Sequence, residues 1–255
     1  RVGLGWHAGY CHQCKQCHTG HHNLCGAAQG TIINHHGGFA ERVRAQASSV
    51  VALPQGLDAA QAGPLFCGGI TVFTPFLDYD ISPSARVGII GIGGLGHLAL
   101  QFANAWGCEV WALSSSANKR EEATRLGAHA VLDSRNEQAL KAAQGSFDLL
   151  ISTVNVELDW NLYLSLLAPR GRLHFVGATL APLNLQAFGL IAAQRSVSGS
   201  PVGSPAAIAT MLDFAERHNI APQVEHFAMS QVNEALDHLR EGKAHYRIVL
   251  DNDWH

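Results

Sequence analysis

The stretch Val87-Gly88-Ile89-Ile90-Gly91-Ile92-Gly93-Gly94-Leu95-Gly96 decides the fold. A short apolar run, Arg86 to Ile90, ends at Gly91, and a segment of helical character, Leu95 to Trp106, begins where the glycines stop. Gly91 to Gly96 spell G-x-G-x-x-G, a weak signal alone in a chain holding 26 Gly but an informative one between a strand and a helix. In that setting the turn lets a pyrophosphate approach backbone N–H groups at a helix N-terminus, with Gly91, Ile92, Gly93, Gly94, Leu95 and Gly96 as the candidate cradle. The bland alternative is a tight turn without a ligand.

Outward from this turn the same grammar repeats. Apolar runs at Glu109 to Leu113, Ala128 to Leu132, Phe147 to Ser152 and Arg172 to Val176 alternate with helical segments, which predicts an α/β doubly wound parallel sheet. Gly107, Gly127 and the Pro169-Arg170-Gly171 turn are expected to stop helices just before strands. Upstream, residues 1–55 are rich in Gly, Cys and His, and the alternation in Phe39 to Val51 predicts short antiparallel strands. Beyond Ser200 two helices are expected. The second starts from Ser230 as N-cap and carries Val232, Ala235, Leu236 and Leu239 on one face, and a strand at Tyr246 to Leu250 follows.

About 20 residues past the glycines, a protein that binds NAD places a carboxylate for the ribose 2′-hydroxyl. This chain reads Ser114-Ser115-Ser116-Ala117-Asn118-Lys119-Arg120, with no carboxylate. Three hydroxyls and two cations suit a 2′-phosphate, so Ser114, Ser115, Ser116 and Lys119 are candidate NADP ligands. Asn118 with Glu121 also fits a capping box, and both readings stand together.

Cys11, Cys14, Cys17 and Cys25 are separated by two, two and seven residues, close enough for one loop to wrap four thiolates tetrahedrally around zinc. Free buried thiols or a local disulfide are the alternatives, and His12, His18, His21 and His22 are competing ligands. A closed site of this kind has a structural role, since it leaves no position for substrate.

With 47% hydrophobic and 15% charged residues the chain has material for a core and too little charge for disorder. No run of 18 apolar residues offers a membrane span. The net charge of −3 gives no electrostatic footprint for a nucleic-acid backbone. Cysteine density is far below that of a disulfide scaffold, which places the chain in a reducing, cytoplasmic compartment. Arg1 to Trp6 carry no signal-peptide pattern, and the chain is expected to begin inside a fold.

Together these residues resemble the zinc-containing medium-chain alcohol dehydrogenases, within them the cinnamyl-alcohol-dehydrogenase-like, NADP-dependent aldehyde reductases. The matching stretches are the cysteine lobe, Gly37 to Glu41, Pro64 to Val72, the Gly91 to Gly96 turn, Ser114 to Lys119, Gly199-Ser200 and Tyr246-Arg247. The resemblance implies residues 1–75 as part of a GroES-like β-rich catalytic domain, 76–200 as a Rossmann NADP-binding domain and 201–255 as a return to the first. It implies Cys67 as a ligand of a second, catalytic zinc and Thr71 near the nicotinamide; without it, Cys67 reads as an inert core thiol. It further implies Thr153, Gly177, Ser200, Pro201 and Val202 lining the cleft, Arg247 at the pyrophosphate, and a homodimer.

The activity implied is zinc-assisted hydride transfer between NADP(H) and a primary alcohol or aldehyde, aliphatic or aromatic. The family's other catalytic ligands, a Cys in a G-x-C-H-S/T-like segment and a His-Glu pair in G-H-E, have no match between residues 1 and 255. The chain is therefore expected to lack the family's amino-terminal part and to hold coenzyme and structural zinc without a complete catalytic metal site. A non-catalytic NADPH-binding module and a zinc-independent quinone or enone reductase are the rival readings.

Overall fold

A computed structural model describes residues 1–116 and 119–254. The chain divides into two compact units, one made of Arg1–Thr74 with Pro201–His255 and the other of Pro75–Ser200.

The first unit begins with β1 (Val2–Leu4), β2 (His7–Gly9), the short helix α1 (Lys15–His18), β3 (Gln29–Gly30) and β4 (Val50–Ala52). β1 pairs antiparallel with β4, Gly3 opposite Val51, and β2 pairs antiparallel with β3. α2 (Ala59–Ala62) starts from Asp58, whose side chain accepts from the Ala60 N–H, and α3 (Gly68–Asp78) carries Pro75 within it. Of the short antiparallel strands expected over Phe39 to Val51, β4 forms at the end of that range, and no strand forms from 39 to 49. Phe39 and Val43 are exposed, so the alternation there buries nothing and no partner strand pairs with it among the described residues.

The second unit is a six-stranded parallel sheet of β5 (Arg86–Ile90), β6 (Glu109–Ser114), β7 (Ala130–Asp133), β8 (Phe147–Ser152), β9 (Leu167–Phe175) and β10 (Ser196–Gly199). The order β10-β9-β8-β5-β6-β7 is that of a doubly wound sheet, with the direction of winding reversing between β5 and β8. β5 and β8 are central, and their apolar residues from Val87 and Phe147 onward are buried on both faces, which is why they read as unbroken hydrophobic runs. The crossovers are α4 (Gly96–Trp106), α5 (Arg120–Arg125), α6 (Glu137–Ala142), α7 (Trp160–Leu166) and α8 (Ala187–Ile191). Gly107 closes α4 in the left-handed conformation, and Asn136 and Asp159 cap α6 and α7 through their side chains.

Two features of this sheet differ from the sequence reading. Pro169-Arg170-Gly171 does not precede a strand but lies inside β9, where the register jumps from Phe147 opposite Leu167 to Leu149 opposite Arg172 and Arg170 turns at φ 66°. β10, only four residues and half polar, gave no apolar run to recognise.

The chain then returns to the first unit as α9 (Pro205–His218), β11 (Val224–Ala228), α10 (Val232–Arg240) and β12 (Arg247–Asp251). Ser204 caps α9, Pro205 opens it and Asn219 closes it in the left-handed region. β11, unexpected from sequence, pairs parallel with β12. Ser230 is not an N-cap: its N–H and hydroxyl bind the Asp253 carboxylate, and α10 begins after Gln231. Among the described residues no helix is long and apolar enough to cross a membrane.

Candidate coenzyme and metal sites

In the first unit a single loop gathers four sulfurs. Cys14 stands at the N-cap of α1, which carries Cys17; His12 turns the chain at φ 58°; and a 3-10 turn over His22–Leu24 delivers Cys25. The four Sγ atoms all lie within 4.8 Å of one another, Cys11 and Cys25 at 3.5 Å. A tetrahedral zinc with bonds of about 2.3 Å needs its sulfurs roughly 3.8 Å apart, so this donor set fits that ion. The cysteines are free thiols rather than disulfides, and none of the neighbouring histidines belongs to the group of ligand atoms. Backbone N–H groups of Gln13 and Cys14 lower the Cys11 thiol to about 6, whereas burial pushes Cys17 up to about 12.

In the second unit the glycine turn sits where the sheet reverses. Gly91 turns at φ +85°, and a Cβ on Gly96 would overlap the Gly91 carbonyl oxygen. Thr153, at the end of β8, donates its hydroxyl to the carbonyls of Ile90 and Gly91, at 3.0 and 2.8 Å, and so braces the turn from the neighbouring strand. A Cβ on Gly93 would meet nothing within 4 Å. That open face beside the first turn of α4 is the cradle a pyrophosphate requires, and the residues present fit a dinucleotide.

Beside the turn lies a cavity of about 270 Å³. Gly91 and Ile92 line it from the turn, Ser114 lines it from the end of β6, and Ser115, Ser116 and Lys119 from the residues that follow. The Ser116 N–H donates to Ser114 Oγ at 3.2 Å, and Lys119 Nζ donates to the Ile92 carbonyl. Arg120, the second cation of the sequence motif, is exposed at the start of α5 and is not part of the lining; Asn118 lies outside the described residues. Ser134 and Tyr163 complete the polar lining, and sequence reasoning missed both. The end of the third strand as a lining position was the signal for Ser134; Tyr163 on α7 left none. Among the described residues no carboxylate lines the cavity; Asp133, opposite Ser114 in the sheet, is exposed and accepts from the Arg135 N–H.

The other candidates are spread over the two units. Gly177 leaves no room for a Cβ against the Val154 carbonyl, and Ser200 Oγ lies 3.0 Å from His174 Nε2. In the first unit the Pro201 carbonyl accepts from Asn23 Nδ2 and the Val202 carbonyl from the Thr71 neighbour Thr74. Cys67 is exposed at the head of α3, which overturns the core-thiol alternative, and its carbonyl accepts from the buried Thr71 hydroxyl at 2.7 Å. Burial holds the Arg247 guanidinium below its usual range, offset by the charge of Cys67. Among the described residues Cys67 belongs to no group of three or more His, Cys, Asp or Glu ligand atoms, so these residues do not fit a catalytic metal.

Comparison with known proteins agrees with this arrangement. Residues 1–55 match the alcohol dehydrogenase GroES-like domain and residues 94–217 the zinc-binding dehydrogenase domain. Aldehyde reductase AdhA of Synechocystis is 62% identical over 251 residues, covering 98% of this chain and 75% of that protein. A cinnamyl alcohol dehydrogenase of Sorghum bicolor superposes with a TM-score of 0.88 at 37% identity, covering 98% of this chain and 74% of the other. A Helicobacter pylori cinnamyl alcohol dehydrogenase complexed with NADP(H) gives 0.87 at 28% identity, with coverage of 98% and 74%. The chain belongs to the zinc-binding alcohol dehydrogenases, oxidoreductases built from a GroES-like part and a Rossmann sheet.

Proposed function

We propose that this chain binds NADPH and serves the reduction of aliphatic or aromatic aldehydes to primary alcohols. The observation that carries the coenzyme assignment is the cavity at the end of β6, where Ser114, Ser115, Ser116, Ser134 and Lys119 converge without a carboxylate among the described residues. A 2′-phosphate there gains charge-assisted bonds and meets no repulsion. The aldehyde substrate is supported by the 62% identical aldehyde reductase.

Bound in this unit, NADPH would supply a hydride to the aldehyde carbon. The chain's own residues orient it: Gly93 leaves space for the pyrophosphate, Thr153 holds the turn in shape, and Lys119 and the serines fix the adenosine end. We assign Ser200, Pro201 and Val202 with Gly177 to the nicotinamide end, Thr71 to the same neighbourhood and Arg247 to the pyrophosphate. Cys11, Cys14, Cys17 and Cys25 would hold a structural zinc that replaces a hydrophobic core in a lobe too small to build one. Among the described residues, those around Cys67 do not make a catalytic zinc site.

We further propose a homodimer in the cytoplasm. Phe188 and Ile191 of α8 are 76% and 71% exposed, and α8 leads into β10, an edge strand that pairs only with β9 among the described residues. Free thiols throughout suit a reducing compartment. Light scattering on Phe188→Asp tests the dimer: a monomer is expected, and an unchanged dimer places the interface elsewhere. The coenzyme assignment is tested by Lys119→Glu, which reverses the preference for NADPH over NADH; a retained preference overturns it.

A further inference from the structure

His174 forms a buried hydrogen-bonding centre that neither the glycine turn nor the cavity uses. It lies in β9 and is fully excluded from solvent. Its Nδ1 is 2.9 Å from Ser198 Oγ and its Nε2 3.0 Å from Ser200 Oγ. Ser198 stands opposite His174 in the parallel register, and Ser200 follows the last residue of β10. One imidazole therefore holds both the edge strand and the residue at which the chain leaves it. Tyr79 packs edge-on against the ring at 5.4 Å, and the Arg172 guanidinium stacks on Tyr79 at 3.9 Å.

Burial, with the charge of Arg172 second, presses His174 down to about 4, so the ring is neutral. A neutral imidazole has one N–H and one bare nitrogen, so one serine accepts from it while the other donates. An apolar side chain would fill this buried space without a polar atom to satisfy. The ring's distinctive contribution is thus the pair of tethers, not volume.

We infer that His174 is a positioning residue for the coenzyme: through Nε2 it fixes the Ser200 hydroxyl, and with it the backbone at 199–202, in the orientation that the nicotinamide end requires. This inference rests on the assignment of Ser200, Pro201 and Val202 made above.

Two substitutions separate the tethers. The longer side chain of His174→Gln carries an amide toward the Nε2 position and keeps the Ser200 tether; the shorter one of His174→Asn reaches only toward Nδ1. Titration of the full chain with NADPH, followed by coenzyme fluorescence, is paired with a melting temperature for each variant. His174→Gln is expected to bind within about twofold of the parent, and His174→Asn and Ser200→Ala each about five- to tenfold more weakly. The double variant His174→Asn/Ser200→Ala should bind no more weakly than either single one, because both remove the same tether. The imidazole ¹⁵N shifts of the parent should show one protonated and one bare nitrogen, and Ser200→Ala should move the Nε2 resonance, a readout that does not depend on whether His174→Asn folds. The inference is overturned if affinities follow the melting temperatures, if the Ser200→Ala and His174→Asn losses add, or if Nε2 ignores Ser200→Ala. A parent chain that does not bind NADPH brings down the coenzyme assignment itself, and this inference with it.

Discussion

Gly96 has no room for a side chain, because a Cβ placed on it would overlap the carbonyl oxygen of Gly91. Three residues earlier, Gly93 faces open space. The two glycines therefore do different things in one motif: Gly96 lets helix α4 pack against the turn, and Gly93 leaves the face a pyrophosphate would occupy.

Substituting each by alanine separates those roles. Gly96→Ala forces the turn apart and is expected to destabilise the second unit by about 2–3 kcal/mol or more, in the manner of an overpacked core. Gly93→Ala should leave stability within about 1 kcal/mol yet weaken NADPH binding at least about tenfold. Thermal unfolding and coenzyme titration of the two variants check this. Equal loss of stability in both, or unimpaired binding by Gly93→Ala, contradicts the assigned roles.

The cysteine lobe is expected to carry one zinc per chain. Removing that zinc with a chelator should lower the melting temperature and open residues 11–25 to protease, because folding of such a lobe and metal binding are one process. Cys14→Ser should do the same without chelator. Metal analysis with limited proteolysis decides the matter, and a lobe that stays resistant after the metal is removed contradicts a structural zinc.

His174 gives the fold a pH dependence with a definite sign. Its folded value, about 4, lies below the unfolded value near 6.5, so as pH falls the unfolded chain takes up the proton first. Its contribution is complete above about pH 6.5 and is lost as pH falls toward about 4, on the order of 3 kcal/mol. Denaturant unfolding across that window should show His174→Gln losing stability less steeply than the parent, by about one proton. Parallel profiles for the two proteins would show that His174 is not buried neutral.

What the sequence made legible follows from where each signal resides. β5 and β8 were visible because both faces of a central parallel strand are buried, which writes an apolar run. The glycine turn and the cysteine spacing were visible because each is a contiguous segment doing one job. β10 and β11 were not visible, since half-buried edge residues such as Ser196, Ser198 and Glu225 carry no continuous apolar pattern. The alternation over Phe39 to Val51 was right only at its end, where β4 forms, because periodicity shows that a strand could bury one face, not that a partner exists to cover it. Pro169-Arg170-Gly171 was read as a boundary when it is an irregularity within β9. His174 escaped because its partners, Ser198 and Ser200, meet it only through the pairing of β9 with β10.

The serine-and-lysine cavity at the end of β6 sets the coenzyme preference, and the dissociation constants of the unmodified chain for NADPH and NADH test this most directly. With charge-assisted bonds to the extra phosphate, NADPH should bind at least about tenfold more tightly than NADH. Equal affinities, or tighter binding of NADH, would contradict it.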